Sequence, residues 1–128
     1  MRSINTHIKA HLSALQPLQL NFVYKYFAVL KMSAEIEELL KRYQNYPNVA
    51  GIIILDPFAI PIKTTMEYTL TVHYAALIST LTYKAAKMIS NLDASNELMT
   101  IRLRTKVHEV IVLPSENYII IVVQNPGT

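Results

Sequence analysis

The sequence predicts an α+β fold in which antiparallel hairpins and amphipathic helices build one domain. Three observations carry that expectation. Between Glu109 and Pro126 two strand-like runs flank a polar turn, and the second run, Tyr118 to Val123, is apolar at six consecutive positions. It is too short for a membrane span and too β-branched for a comfortable helix, so it reads as a central strand covered on both faces. Val49 to Leu55 and Ile60 to Thr65 read as a second hairpin around Asp56-Pro57-Phe58-Ala59. Between the hairpins, Leu70, Tyr74, Leu77, Leu81, Ala85, Met88 and Leu92 recur at gaps of four and three, which is the period of a long helix.

Taken in chain order, residues 1–31 differ in character from the rest. They hold Arg2, Lys9, Lys25 and Lys31 with no acid, a net +4, whereas residues 32–128 hold eight basic and nine acidic side chains, a net −1. Pro17 falls in mid-segment, and Phe22-Val23-Tyr24-Lys25-Tyr26-Phe27 is an aromatic run. Lys25 interrupts an apolar stretch already shorter than the roughly 20 residues of a membrane span, so no membrane insertion is expected. The same lysine and the lack of a small-residue cleavage pattern before Met32 argue against a secretory signal. A mitochondrial presequence fits the absence of acids and the presence of Arg2, Lys9, Ser3 and Ser13, but arginine is scarce. The segment is expected to be a poorly ordered extension, dispensable for folding, in front of a domain at 32–128.

A helix is expected from Ser33. Ser33 suits the N-cap, Glu35, Glu37 and Glu38 suit the positive end of the helix dipole, and Pro47 prevents continuation. Ile36, Leu39, Leu40 and Tyr43 form one apolar stripe, with the pairs Glu37/Lys41 and Glu38/Arg42 on the other side. In the following hairpin Pro61 cannot donate to a ladder, which places its strand at an edge or a bulge. The long helix takes Thr69 or Thr71 as its cap. A second stripe, Ala75, Ile78, Thr82, Ala85 and Ile89, adjoins the first, and so wide an apolar arc needs cover beyond one sheet face. One stripe is therefore expected on the sheet and the other against a twin subunit. Leu98 to Thr105 alternates, with Met99, Ile101 and Leu103 on one face and Thr100, Arg102 and Arg104 on the other, as a half-buried strand does.

Much chemistry is excluded by inventory. With no cysteine there is no disulfide framework, thiolate metal site or thiol nucleophile, and with Gly51 and Gly127 as the sole glycines there is no phosphate-cradling loop. His7 and His11 have helical metal-ligand spacing but lack a third ligand nearby, and His73 and His108 read as surface or interface groups. No serine sits in a nucleophile-elbow context. No catalytic residue, metal or cofactor is expected, and the near-neutral domain gives no reason to invoke nucleic acid.

Several motifs together resemble the roadblock family of dynein light chains: Glu38-Leu39-Leu40-Lys41-Arg42, Gly51-Ile52-Ile53, Ile60-Pro61-Ile62-Lys63-Thr64-Thr65-Met66, Tyr74-Ala75, Asn96-Glu97-Leu98 and Gln124-Asn125-Pro126. The resemblance covers residues 32–128. It implies a roadblock-like, profilin-like, five-stranded antiparallel sheet between helices, forming a homodimer through the long helix and third strand. On that basis Ala75, Ile78, Ser79, Thr82, Ala86, Met99, Ile101, Arg102 and Leu103 are the expected dimer contacts. Ile36, Leu40, Tyr43, Arg104 and Lys106 are the expected partner-binding residues. The implied role is a noncatalytic accessory light chain that binds the dynein intermediate chain, in the cytoplasm and on the cytoskeleton; the alternative is a scaffold or regulator of a small GTPase. The chain departs from the light-chain pattern at Ala59, where glycine is usual, at Val107, where lysine is usual, and at the bulky Tyr43 and Tyr46. A turn position needing positive φ costs an alanine about 1 kcal/mol or more, so this turn is expected to be rebuilt around Pro57.

Overall fold

The structure, a computed structural model, describes residues 2–126. Two helices, α1 (Arg2–Ser13) and α2 (Pro17–Gln44), precede β1 (Val49–Leu55), β2 (Pro61–Thr64), α3 (Tyr68–Leu92), β3 (Ile101–Arg104), β4 (Glu109–Pro114) and β5 (Ile119–Gln124). The chain divides into two compact units, one ending at Glu37 and the other beginning at Glu38.

The first unit corrects the expected helix start. Ser33 is not a cap but an interior residue of α2, which begins sixteen residues earlier at Pro17. Pro17 opens the helix, because the first helical position lacks an intrahelical partner for its N–H and tolerates proline. The preceding Gln16 donates its backbone N–H to the Gln19 side-chain oxygen at 3.0 Å, and its carbonyl accepts from Leu20 N at 2.9 Å. The side-chain bond is the half of a capping box that the third helical residue supplies, here a glutamine, and the carbonyl bond is the first of the helical ladder. Pro17 is a start signal, and residues 17–31 continue without a break into the expected helix.

In the second unit all five strands pair antiparallel in the order β2-β1-β5-β4-β3. β5 is the middle strand, as its unbroken apolar run requires, and Ile120 to Val123 are all buried. Ile53 and Leu55 of β1, Val110 and Val112 of β4, and Ile121 and Val123 of β5 form one core cluster with Ala75 and Ile78 of α3. Their neighbours of opposite parity, Ile52, Ile54, Ile120 and Val122, are also buried, so the central strands are covered on both faces. β2 lies at one edge, and its Pro61 sits opposite Leu55 at a register irregularity, satisfying both expectations for a strand proline. β3 lies at the other edge and is shorter than the alternation over Leu98 to Thr105 suggested.

Two local expectations are corrected. The β1–β2 turn is not rebuilt to avoid the left-handed region, since Ala59 adopts φ 66°. Asp56 holds that geometry: one of its carboxylate oxygens accepts from Phe58 N at 2.8 Å and Ile60 N at 2.9 Å, while its carbonyl accepts from Ala59 N at 3.1 Å. The cap of α3 is Glu67, whose carboxylate accepts from Thr69 N at 3.2 Å. Thr71 is buried, 2% exposed, with its hydroxyl 2.9 Å from that of Thr64 and 3.4 Å from the Met66 carbonyl. It ties α3 to the end of β2.

Candidate protein interaction surface

The two apolar stripes of α3 have opposite fates. Thr71, Ala75, Ile78 and Thr82 are buried, and Ala75 and Ile78 pack in the sheet core. Thr82 also returns its hydroxyl to the Ile78 carbonyl at 2.7 Å, which leaves no unsatisfied donor on this face. The other stripe is open. Leu70, Leu77, Leu81, Met88 and Leu92 are exposed, Leu77 to 71%. A groove of about 260 Å³ lies along it between Leu70, His73, Tyr74 and Leu77. Monomeric proteins rarely leave a continuous row of large apolar side chains in water, so this row is the strongest candidate contact surface of the second unit.

Of the expected dimer contacts on α3, Ala75, Ile78 and Thr82 are buried within the protomer itself, the first two in its core cluster. Ser79 is half-buried and Ala86 is exposed on the flank away from the leucine stripe. Leu70, Leu77, Leu81 and Met88 were visible as a stripe in the sequence, but nothing in a 3.6-residue period says which of two adjacent stripes meets the sheet.

The edge strand offers a second element. Among the described residues β3 pairs only with β4, which leaves the other side of Ile101 to Arg104 without a strand. Ile101 and Leu103 pack on the core, whereas Met99 precedes the strand and is exposed. Arg102 bonds Glu109 through Nε at 2.9 Å and Nη2 at 2.7 Å, and Arg104 approaches the other carboxylate oxygen at 3.7 Å. Both guanidinium groups remain largely exposed, so these pairs contribute at most about 1 kcal/mol each. Lys106 is exposed in the β3–β4 turn. Of the other expected partner-binding residues, Ile36 and Leu40 are buried and therefore unavailable as surface, while Tyr43 is half-buried with its ring edge-on to Tyr46 at 5.5 Å.

The titratable groups offer little to chemistry. Asp93, at the C-cap of α3, is held below the ordinary aspartate range by the Ser95 hydroxyl at 2.7 Å and then by the Ser95 backbone N–H at 3.0 Å. Both bonds belong to the turn that ends the helix. Among the described residues no group of three histidine, aspartate or glutamate side chains is placed to hold a metal.

An edge-exposed antiparallel sheet with a long helix and an open leucine row agrees with what comparison with known proteins finds. Residues 35–125 match the Roadblock/LC7 domain. The chain belongs to that family. Similar solved structures include a Roadblock/LC7 domain from Streptomyces avermitilis, at 13% identity and TM-score 0.60 over 65% of this chain and 71% of that one. Myxococcus xanthus MglB aligns at 13% identity and TM-score 0.57, covering 66% and 70%. The gliding protein MglB of Thermus thermophilus aligns at 10% identity and TM-score 0.58, covering 69% of each chain. At these identities the likeness speaks for the fold alone. It supports the roadblock architecture of five antiparallel strands with helices that the resemblance implied.

Proposed function

We infer that this Roadblock/LC7 protein is a noncatalytic dimeric adaptor, an accessory light chain of a dynein motor whose dimer holds a segment of the intermediate chain. The open leucine row of α3 beside an unpaired edge strand carries the reading, because both features need a protein neighbour and neither is suited to a small substrate. Edge-to-edge pairing about a twofold axis would cover both at once. One similar solved structure is described as MglB with a tetrameric arrangement, which fits a family that assembles through its domain surfaces. Work in the cytoplasm and on the cytoskeleton follows from the same reading.

The dynein assignment rests on the light-chain motifs, Ile60 to Met66 and Gln124-Asn125-Pro126 above all. Purified chain should elute with a dimer mass in light scattering at micromolar concentration, and a monomer mass would overturn the dimer. Immobilised chain should retain dynein intermediate chain from lysate. Retention of small GTPases without intermediate chain would replace this reading with a GTPase scaffold.

A further inference from the structure

The face of the sheet turned away from α3 ends, at β3, in a row of cations. Arg102 is paired with Ile111 and Arg104 with Glu109, while Ile101 and Leu103 pack on the core that α3 covers. By the alternation of a strand, Arg102, Arg104, Glu109, Ile111 and Leu113 therefore share the opposite face. Glu109 is the only acid in the five strands, so one carboxylate serves both guanidinium groups. Lys106 follows, exposed, in the β3–β4 turn, and Ile111 and Leu113 are half-buried beside the row.

The dimer inferred above doubles this charge. Let two β3 strands join antiparallel about a twofold axis with both α3 helices on one side of the sheet, so that their leucine rows can meet. Side chains of one face then stand opposite side chains of the same face. In a register centred on Arg102 that residue stands opposite its own copy, and in one centred on Leu103 it stands opposite Arg104 of the second copy. Directly opposite side chains come within about 4.5–5.5 Å at Cβ, where like charges oppose pairing. Arg102, Arg104 and Lys106 of both copies gather about the axis with only the two Glu109 carboxylates to balance them.

We propose that this seam is the docking site of an acidic segment of a partner protein, which lies across the twofold axis with carboxylates on Arg102, Arg104 and Lys106 and apolar side chains on Ile111 and Leu113. The proposal rests on the dimer reading and names the chemistry of what the dimer holds. Charge selects the occupant. A second copy brings the same cations to the seam, residues 1–31 contain no acid, and an uncharged apolar segment leaves the repulsion in place. Guanidinium groups also favour carboxylates through paired N–H donors, as Arg102 does on Glu109 through Nε and Nη2. A segment that binds the joined pair better than either half tightens the dimer by the same factor that dimerisation tightens its own binding.

The test is sedimentation equilibrium of the full chain with and without an octaglutamate peptide, with octaglutamine as the control. Octaglutamate should lower the dimer Kd by roughly tenfold, an effect that fades as salt rises, and octaglutamine should not. Arg104→Gln with Lys106→Gln leaves Arg102 balanced by Glu109. It should remove the octaglutamate effect and tighten the peptide-free dimer about threefold, the sign of relieved repulsion and not of a lost structural contact. Lys25→Gln with Lys31→Gln should change neither. A dimer that octaglutamate does not tighten overturns the proposal and leaves the dimer standing, whereas a monomer at every loading overturns the dimer reading itself. An octaglutamate effect lost in the Lys25, Lys31 variant would place the acid on the first unit, and a larger effect from an oligothymidylate of equal charge would make the seam a nucleic-acid site. Either result overturns the proposal.

Discussion

Leu77→Ala is the substitution that separates the two stripes of α3. Full burial of a leucine contributes about 1.5–3 kcal/mol. Leu77 is 71% exposed in the protomer, so covering the remainder in a dimer contributes roughly 1–2 kcal/mol per copy. A twofold interface contains two copies, and truncating both therefore costs about 2–4 kcal/mol of association, or roughly thirtyfold to several hundredfold in Kd. Sedimentation equilibrium over nanomolar to micromolar loading reads that change directly. Folding should be nearly untouched, because an exposed leucine contributes little to the protomer. Two controls sharpen the result. Tyr83→Ala, equally exposed but on the opposite flank of the helix, should leave Kd within about twofold. Ile78→Ala, in the core, should instead lower unfolding stability by about 2–5 kcal/mol. An unchanged dimer in Leu77→Ala together with dissociation in a variant of Ser79 or Ala86 would show that the small-residue flank is the interface and the leucine row is not.

Ala59→Gly should raise the melting temperature by about 2–4 °C, since relief of the left-handed alanine outweighs the entropy glycine adds to the unfolded chain, a net gain of about 0.5–1 kcal/mol. A lower melting temperature would show that the turn is unstrained. Gly51→Ala should destabilise by about 1–3 kcal/mol, because a Cβ there would lie 2.5 Å from Met66 Sδ and displace that side chain from β1; its recovery by Met66→Ala in denaturant melts checks the cause. Ser95→Ala should move the Asp93 titration up toward the ordinary aspartate range, as followed by NMR. A carboxylate whose pKa is depressed by folding adds stability above its unfolded pKa that is lost as pH falls through the folded value. The wild-type advantage over Ser95→Ala should therefore vanish in acid. An unshifted Asp93 would rule out the serine as its cause.

Much of the second unit was legible because local signals and burial agree there. Tyr118 to Val123 has no polar residue to turn toward water, so only the middle of a sheet suits it, and β5 is the middle strand. Pro61 lacks a donor, so only an edge or irregular pairing suits it, and it has both. The motifs of the roadblock domain likewise reported the family from residues alone. The start of α2 was misread because Pro17 is ambiguous by itself: it breaks a helix that is under way and favours one that is beginning, and only the Gln16–Gln19 bond decides which. At Ala59 residue preference argued for a rebuilt turn, and two hydrogen bonds to Asp56 outweighed it. The sequence by itself determined that α3 carries two apolar stripes, since that follows from the order of residues and the helical period. Which stripe meets the sheet was decided only in three dimensions, where Ala75, Ile78 and Thr82 allow close approach to β1, β4 and β5 and leave the leucines outside.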